Sequence, residues 1–308
     1  MIYEYTLEPS LLTKWADSSR DYSEFLREYG IGTSRLFSSF PKRKASKLRS
    51  YLLKAGPQDD QSLHGRRYTE MVNKLVECLV FRETPNYQST NWTDIVTIEN
   101  ERLPFGVILS SQSLETEKNI TPDNMYSATS IWNCVNQLNI QRTNPGLMTA
   151  FNDLVRLATE QIVVVDTFGW TTEAISFMRH LINSIPTNRV NQKLPLLTLF
   201  YKEKRGGKTG GGSPSADHVK TQIMQEVSAE LSDIELQVIE LKEIDGNDVF
   251  HNRCLLTELG GVITGHGIGV SGEEHHSDEA ILMAADIYQK KWAQFVEELN
   301  FGIVSESQ

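Results

Sequence analysis

Long apolar runs, cysteine and basic charge are all scarce in this chain, and each shortage closes off a class of protein. No stretch approaches the roughly 20 consecutive apolar residues that a membrane-spanning helix needs. The opening MIYEYTLEPSLLTKW has no basic segment followed by an apolar core, so no export signal is expected. The cysteines Cys78, Cys134 and Cys254 are odd in number, far apart and without a Cys-x-x-Cys pair. That excludes a disulfide framework and a cysteine-built zinc site, and a reducing cytoplasm is the expected compartment. No internal repeat is visible. The 308 residues are enough for two modest domains, or one large one, whose cores need no covalent staple.

The charge balance is 30 basic against 40 acidic residues, a net −10 that taken alone argues against nucleic acid as a partner. The average hides an island. Between Arg35 and Arg67 lie nine cations (Arg35, Lys42, Arg43, Lys44, Lys47, Arg49, Lys54, Arg66 and Arg67) and only two acids, Asp59 and Asp60. The segment is therefore +7 and the remaining chain −17. Phe37, Phe40 and Tyr51 are interleaved with the cations, a composition that contacts phosphates, and Lys42, Arg43, Lys44, Lys47 and Arg49 are the expected ligand-binding residues. The same run also fits a solvated helix face, or a surface that docks on an acidic partner or on the chain's own acidic half.

Residues 1–145 are expected to form a mainly α-helical module of no recognisable family. Leu11, Leu12 and Trp15, then Tyr22, Phe25, Leu26 and Tyr29, recur at helical spacing until Gly30 and Gly32 break the pattern. Tyr68–Phe81 is a second amphipathic stretch, and Ser127–Leu138 also reads as helix. Leu103–Leu109, with Pro104 and Gly106, suits a short edge strand or a turn into one. A turn-forming cluster, Thr143-Asn144-Pro145-Gly146, marks the boundary, and 146–308 is a second domain of α/β class. There, QIVVVD at Gln161–Asp166 leads into a helical segment, and further apolar runs at 196–200 and 235–241 flank a helical stretch near 217–231. Ile281, Ala285, Tyr288, Trp292, Phe295 and Leu299 would form one stripe on a closing helix.

The most informative segment is His251–Glu258, HNRCLLTE: a His, a cation two residues on and a carboxylate five residues after that, followed seven residues later by Gly265 and His266 in a GHGIG run. On a strand, His251 and Arg253 would share one face, with Asn252 on the other. This spacing resembles the H-x-K-x4-D-x6-G-S signature of the phospholipase D superfamily, with Arg for Lys, Glu for Asp and His266 for Ser. The resemblance covers about half the chain. It is especially similar to the degenerate single repeat at the C-terminus of proteins with a microtubule-interacting-and-transport domain, where Asp166-Thr167-Phe168 stands for Asp-Pro-Tyr.

That resemblance implies a mixed sheet flanked by helices, with His251 as nucleophile, Arg253 on phosphate oxygens, Glu258 fixing the imidazole, and Asp166, Gly265 and His266 near the ligand. It implies no metal and no cofactor. Arg binds an oxyanion as a planar fork but is no neutral replacement for Lys, so binding survives more readily than turnover. Enzymes of the superfamily combine two motif copies, and no second copy of a His-x-cation motif is expected here, so catalysis would require a homodimer.

Two lures are set aside. Gly207-Lys208-Thr209 is no P-loop, because Lys202 stands where the first glycine belongs, and KEKRGGKTGGGSPS reads as a linker-like loop. Glu273-Glu274-His275-His276 with Asp278 offers metal-ligand atoms, but adjacent ligands rarely converge. The expected function is a phospholipase D-like subunit, non-catalytic or weakly catalytic, that holds a phosphate-rich ligand, nucleic acid first, or a partner protein; a bacterial antiphage-defence or mobile-element complex is one setting for it. The alternatives are a metal-independent nuclease acting as a homodimer through His251, and a membrane-associated adaptor.

Overall fold

The computed structural model describes residues 1–127, 131–206, 211–231, 234–251, 253–273 and 275–308. They divide into two compact units, Met1–Asn136 with Val190–Gln192, and Gln137–Arg189 with Lys193–Gln308.

The first unit is built on five short strands: β1 (Tyr3–Leu7), β2 (Arg35–Ser38), β3 (Leu79–Val80), β4 (Val107–Leu109) and β5 (Asn119–Ile120). All pair in parallel, in the order β3-β2-β1-β4-β5. The crossovers from β1 to β4 are helical, with α1 (Pro9–Asp17), α2 (Ser19–Glu28), α3 (Ala45–Ala55), α4 (Leu63–Glu77) and α5 (Trp92–Arg102), and a loop joins β4 to β5. Side chains of Ser18, Ser62 and Asn91 accept first-turn N–H groups and so start α2, α4 and α5. Helices form within Leu11–Tyr29 and from Leu63 to Glu77, as expected, and helical residues outnumber strand residues, but they wrap a parallel sheet where a mainly helical module is expected. Its strands are two to five residues long and buried on both faces, so they show no alternation to read. The segment at Leu103–Leu109 yields β4, an interior strand and not an edge one.

The second unit begins earlier than the turn cluster suggests, because β6 (Gln137–Gln141) joins its sheet. The order of elements is then α6 (Asn144–Leu157), β7 (Gln161–Val165), α7 (Thr172–Ser184), β8 (Leu196–Lys202), α8 (Ala216–Met224), β9 (Leu236–Lys242), β10 (Cys254–Thr257), β11 (Gly260–Thr264), β12 (Ser277–Leu282), α9 (Ala285–Trp292) and β13 (Gly302–Glu306). The eight strands lie in the order β13-β9-β8-β7-β10-β11-β12-β6. This is a mixed α/β architecture: β7, β8 and β9 are mutually parallel, whereas β10, β11, β12, β6 and β13 pair antiparallel. Ile162–Val165 are fully enclosed at its centre.

Two helical expectations give way to strands here. Of the helix expected over Ser127–Leu138, residues 128–130 lie outside the described residues, 131–136 carry no helix, and Leu138 belongs to β6, where polar and apolar residues alternate. Ile281 belongs to β12, buried on alternate residues with Ile281 itself facing out, so the closing helix begins only at Ala285 and widens into a π turn at Ala293–Glu297.

Topology gathers one set of loops at a single edge. β7, β8 and β9 end there, at Val165, Lys202 and Lys242; antiparallel β10 starts there, with Cys254 opposite Val165. β11 ends, β12 begins and β6 ends at the same edge, Ser277 lying opposite Gln141.

Candidate functional site at one edge of the second sheet

The GHGIG loop after β11 is held by a carboxylate. Asp166, at the end of β7, accepts the Phe168 N–H through Oδ1 and the Ile268 N–H through Oδ2, each at 2.7 Å. A side chain at Gly267 would bring a Cβ within 1.9 Å of that Oδ2, and its φ of +77° is one that L residues rarely adopt, so glycine is required on both counts. Burial raises the Asp166 carboxyl above its ordinary pKa, while the two N–H groups and the nearby Arg253 and Arg142 charges oppose the shift. Asp166 was expected to face a ligand. It is a buried clasp for the loop instead.

Arg253 lies just before β10, its Nη1 donating to the Gly265 carbonyl at 3.0 Å and its guanidinium 5.5 Å from the ring centroid of Phe168. Phe168 is 48% exposed. Lys204 lies 5.7 Å from the Trp170 ring, so a second cation and aromatic pair stands at this edge, and Trp170 is only half-buried. Lys202, by contrast, is paired with Glu243 at 2.6 Å. His266 donates its backbone N–H to Asp278, and its Nδ1 lies 3.3 Å from the same carboxylate. Pairing of β11 with β12 makes that contact, and no local spacing announced it.

Buried polar atoms concentrate at the same place. In the second unit, five buried side-chain N or O atoms lack a hydrogen-bond partner among the described residues: Arg142 Nε, Asn144 Oδ1, Thr167 Oγ1, Trp170 Nε1 and Thr264 Oγ1. Every one follows a strand end at this edge, or sits on one. An unsatisfied buried polar group costs about 1–3 kcal/mol, so a cluster of five is a feature a ligand can repay.

Two expected members behave differently. Glu258 sits on the β10–β11 turn at the opposite edge, where it accepts the backbone N–H groups of Thr159, Glu160 and Gln161 and ties the hairpin to the start of β7. The four residues of β10 span about 13 Å, so Glu258 cannot orient His251. His251 is exposed in the coil before β10, and its side chain has no hydrogen-bond partner among the described residues. Neither His251 nor Arg253 is inside a strand, and Asn252 lies outside the described residues, so the shared-face argument does not apply. Cys254 adds no nucleophile, since full burial pushes its thiol up to about 12.

Two further His-x-cation pairs escape the expectation that none exists: His64-Gly65-Arg66 and His218-Val219-Lys220. Neither has a carboxylate five residues on, and both sit on helices, α4 and α8, where residues two apart point about 200° away from each other. The metal-ligand set also disperses, His276 being taken by Ser271 and Glu273, with Glu274 outside the described residues. Among the described residues no group of three or more metal-binding side chains converges. The Gly207-Lys208-Thr209 loop lies outside the described residues.

The basic segment does not form one surface. Arg35 is buried, paired with Glu28 and stacked 3.9 Å from the Trp132 ring; Arg49 donates to Asn73, and Arg67 to Ser19. Only Lys42, Arg43, Lys44 and Lys47 come together, around a cleft of the first unit.

No family model matches this chain, and no curated protein matches it. Among solved structures it is similar to Nuc from Salmonella typhimurium, a phospholipase D family member, at 9% identity and a TM-score of 0.34 over 55% of this chain and 97% of that one. It is similar also to TrmBL2, an archaeal chromatin protein, at 8% identity and 0.29 over 57% and 56% of the two chains. A third is the polyphosphate kinase of Porphyromonas gingivalis, at 9% identity and 0.33 over 82% and 36%. Scores this low carry no argument about function, which rests on the geometry above. Among the described residues no helix is long and apolar enough to cross a membrane.

Proposed function

We propose that the second unit is a degenerate phospholipase D-like domain that binds a single-stranded nucleic acid at this sheet edge and does not cleave it. The observation that carries the reading is the pairing of Arg253 with the exposed Phe168 ring, beside five unpartnered buried polar atoms. A guanidinium takes a phosphate in two places, and an exposed ring stacks on any base; together they are the elements of a sequence-tolerant single-strand site. The reading of no turnover is supported by Glu258 lying at the opposite edge, so that among the described residues no carboxylate is hydrogen-bonded to the imidazole of His251 to fix its tautomer.

Affinity for a short single-stranded oligonucleotide, measured by fluorescence anisotropy across a salt series, tests this. Phe168→Ala should weaken binding about tenfold, and Arg253→Ala should weaken it and flatten the log–log salt slope by about 0.7. Unchanged affinity in both variants would sink the proposal.

A further inference from the structure

The cleft of the first unit is a separate place for a phosphate. Its volume is about 530 Å³, inside the range of roughly 300–1,000 Å³ that small-molecule sites occupy. Lys42, Arg43, Lys44 and Lys47 line it, and among the described residues no carboxylate does. They come from the loop after β2 and the first turn of α3, at the carboxyl ends of parallel strands, where open α/β sheets take their ligands. The crevice between β1 and β4, where the strand order reverses, is bridged by the chain's own carboxylate: Glu8 there accepts from Ser10 and from both the N–H and hydroxyl of Ser111.

The walls are fixed before any ligand arrives. Arg43 Nε donates to the Thr84 carbonyl, which anchors that side chain across the cleft. The Tyr87 hydroxyl donates to Glu99, itself gripped by Arg82 and Arg102, and its ring meets Phe40 edge-on at 5.8 Å. Tyr51 is half-buried, with the Lys42 ammonium 5.3 Å from its ring. Four cations without an acid, gathered beside a helix start with no acidic residue in its first turn, repel one another and oppose the helix dipole; an anion relieves both. The bounded volume, and the diversion of Arg35, Arg49 and Arg67 to other partners, favour one nucleotide over a duplex.

We infer that this cleft binds a single nucleoside phosphate, free or as the phosphorylated end of a strand. Lys42, Arg43, Lys44 and Lys47 take the phosphates, and Tyr51 and Tyr87 flank the base. The inference is independent of the site on the second unit.

Calorimetric titration of the full chain carrying Arg253→Ala and Phe168→Ala, which removes the other site's contacts, tests it. The probes are ATP, adenosine, inorganic tripolyphosphate, and a short oligonucleotide with or without a 5′ phosphate. Saturable binding of ATP, or of the phosphorylated oligonucleotide but not its unphosphorylated twin, is expected, and the two results separate a free nucleotide from a strand end. In either case adenosine and tripolyphosphate should bind more weakly. Arg43→Ala and Lys44→Ala should each cost about tenfold. Arg49→Ala removes the same charge from α3 at a residue engaged with Asn73, and should leave affinity unchanged. No saturable binding of either phosphorylated probe overturns the inference. So does tripolyphosphate binding as tightly as ATP, or an equal loss with Arg49→Ala; melting curves confirm that the variants fold.

Discussion

Arg82 has a guanidinium with no exposure, divided between two carboxylates: Nε and Nη2 donate to Glu4, and Nη1 donates to Glu99 at 2.9 Å. The Leu103 and Pro104 carbonyls accept its remaining N–H groups. Removing one side of such a buried set strands the other charges, so Arg82→Met should cost about 3–5 kcal/mol in denaturant unfolding. The same cluster sets a pH dependence. Burial would raise Glu99, but hydrogen bonds from Arg102, Tyr87 and Arg82, with the Arg82 charge, hold it below its ordinary 4.5. A depressed carboxyl contributes stability above its unfolded pKa and loses it as pH falls through the folded value. The melting temperature should therefore fall on acidification below about pH 4.5, and Glu99→Gln should flatten that fall while lowering the plateau.

At the scale of elements, the GHGIG loop makes the sharpest demand. Gly267→Ala should cost at least about 1–2 kcal/mol from the backbone alone, and it must also displace Asp166 and with it the Arg253 anchor. Loss of oligonucleotide binding should accompany the loss of stability, whereas Gly272→Ala, with nothing within 4 Å of its added Cβ, should change neither. These elements also mark what a sequence reveals. β7, β8, β9 and their helices were legible because each is an apolar run or a helical stripe longer than four residues. β1 to β5 were not: YEYTL carries the buried Glu4, whose partner lies 78 residues on, and β3 and β5 are two residues long. At the site, Arg253, Gly265 and His266 were legible as residues of one motif and do converge. The role given to Glu258 was not recoverable from spacing, because a four-residue strand carries it to the far edge, and Asp278 reaches His266 only through strand register.

Over the whole molecule, a chain of net −10 that binds nucleic acid must do so through local sites. The structure supplies two candidates on separate units, the Arg253 edge and the Lys42–Lys47 cleft, and engages Arg35, Arg49 and Arg67 of the basic segment with other side chains. Binding should consequently be steeply salt-dependent yet insensitive to Arg35 or Arg49. The central claim is that the Arg253 edge holds a strand and leaves it whole. Incubating the full chain with a labelled single-stranded oligonucleotide in excess chelator, while following bound fraction and strand length together, tests it most directly. The account predicts a salt-sensitive complex whose strand stays intact, with or without His251→Ala; shortened strands that vanish with His251→Ala would contradict it.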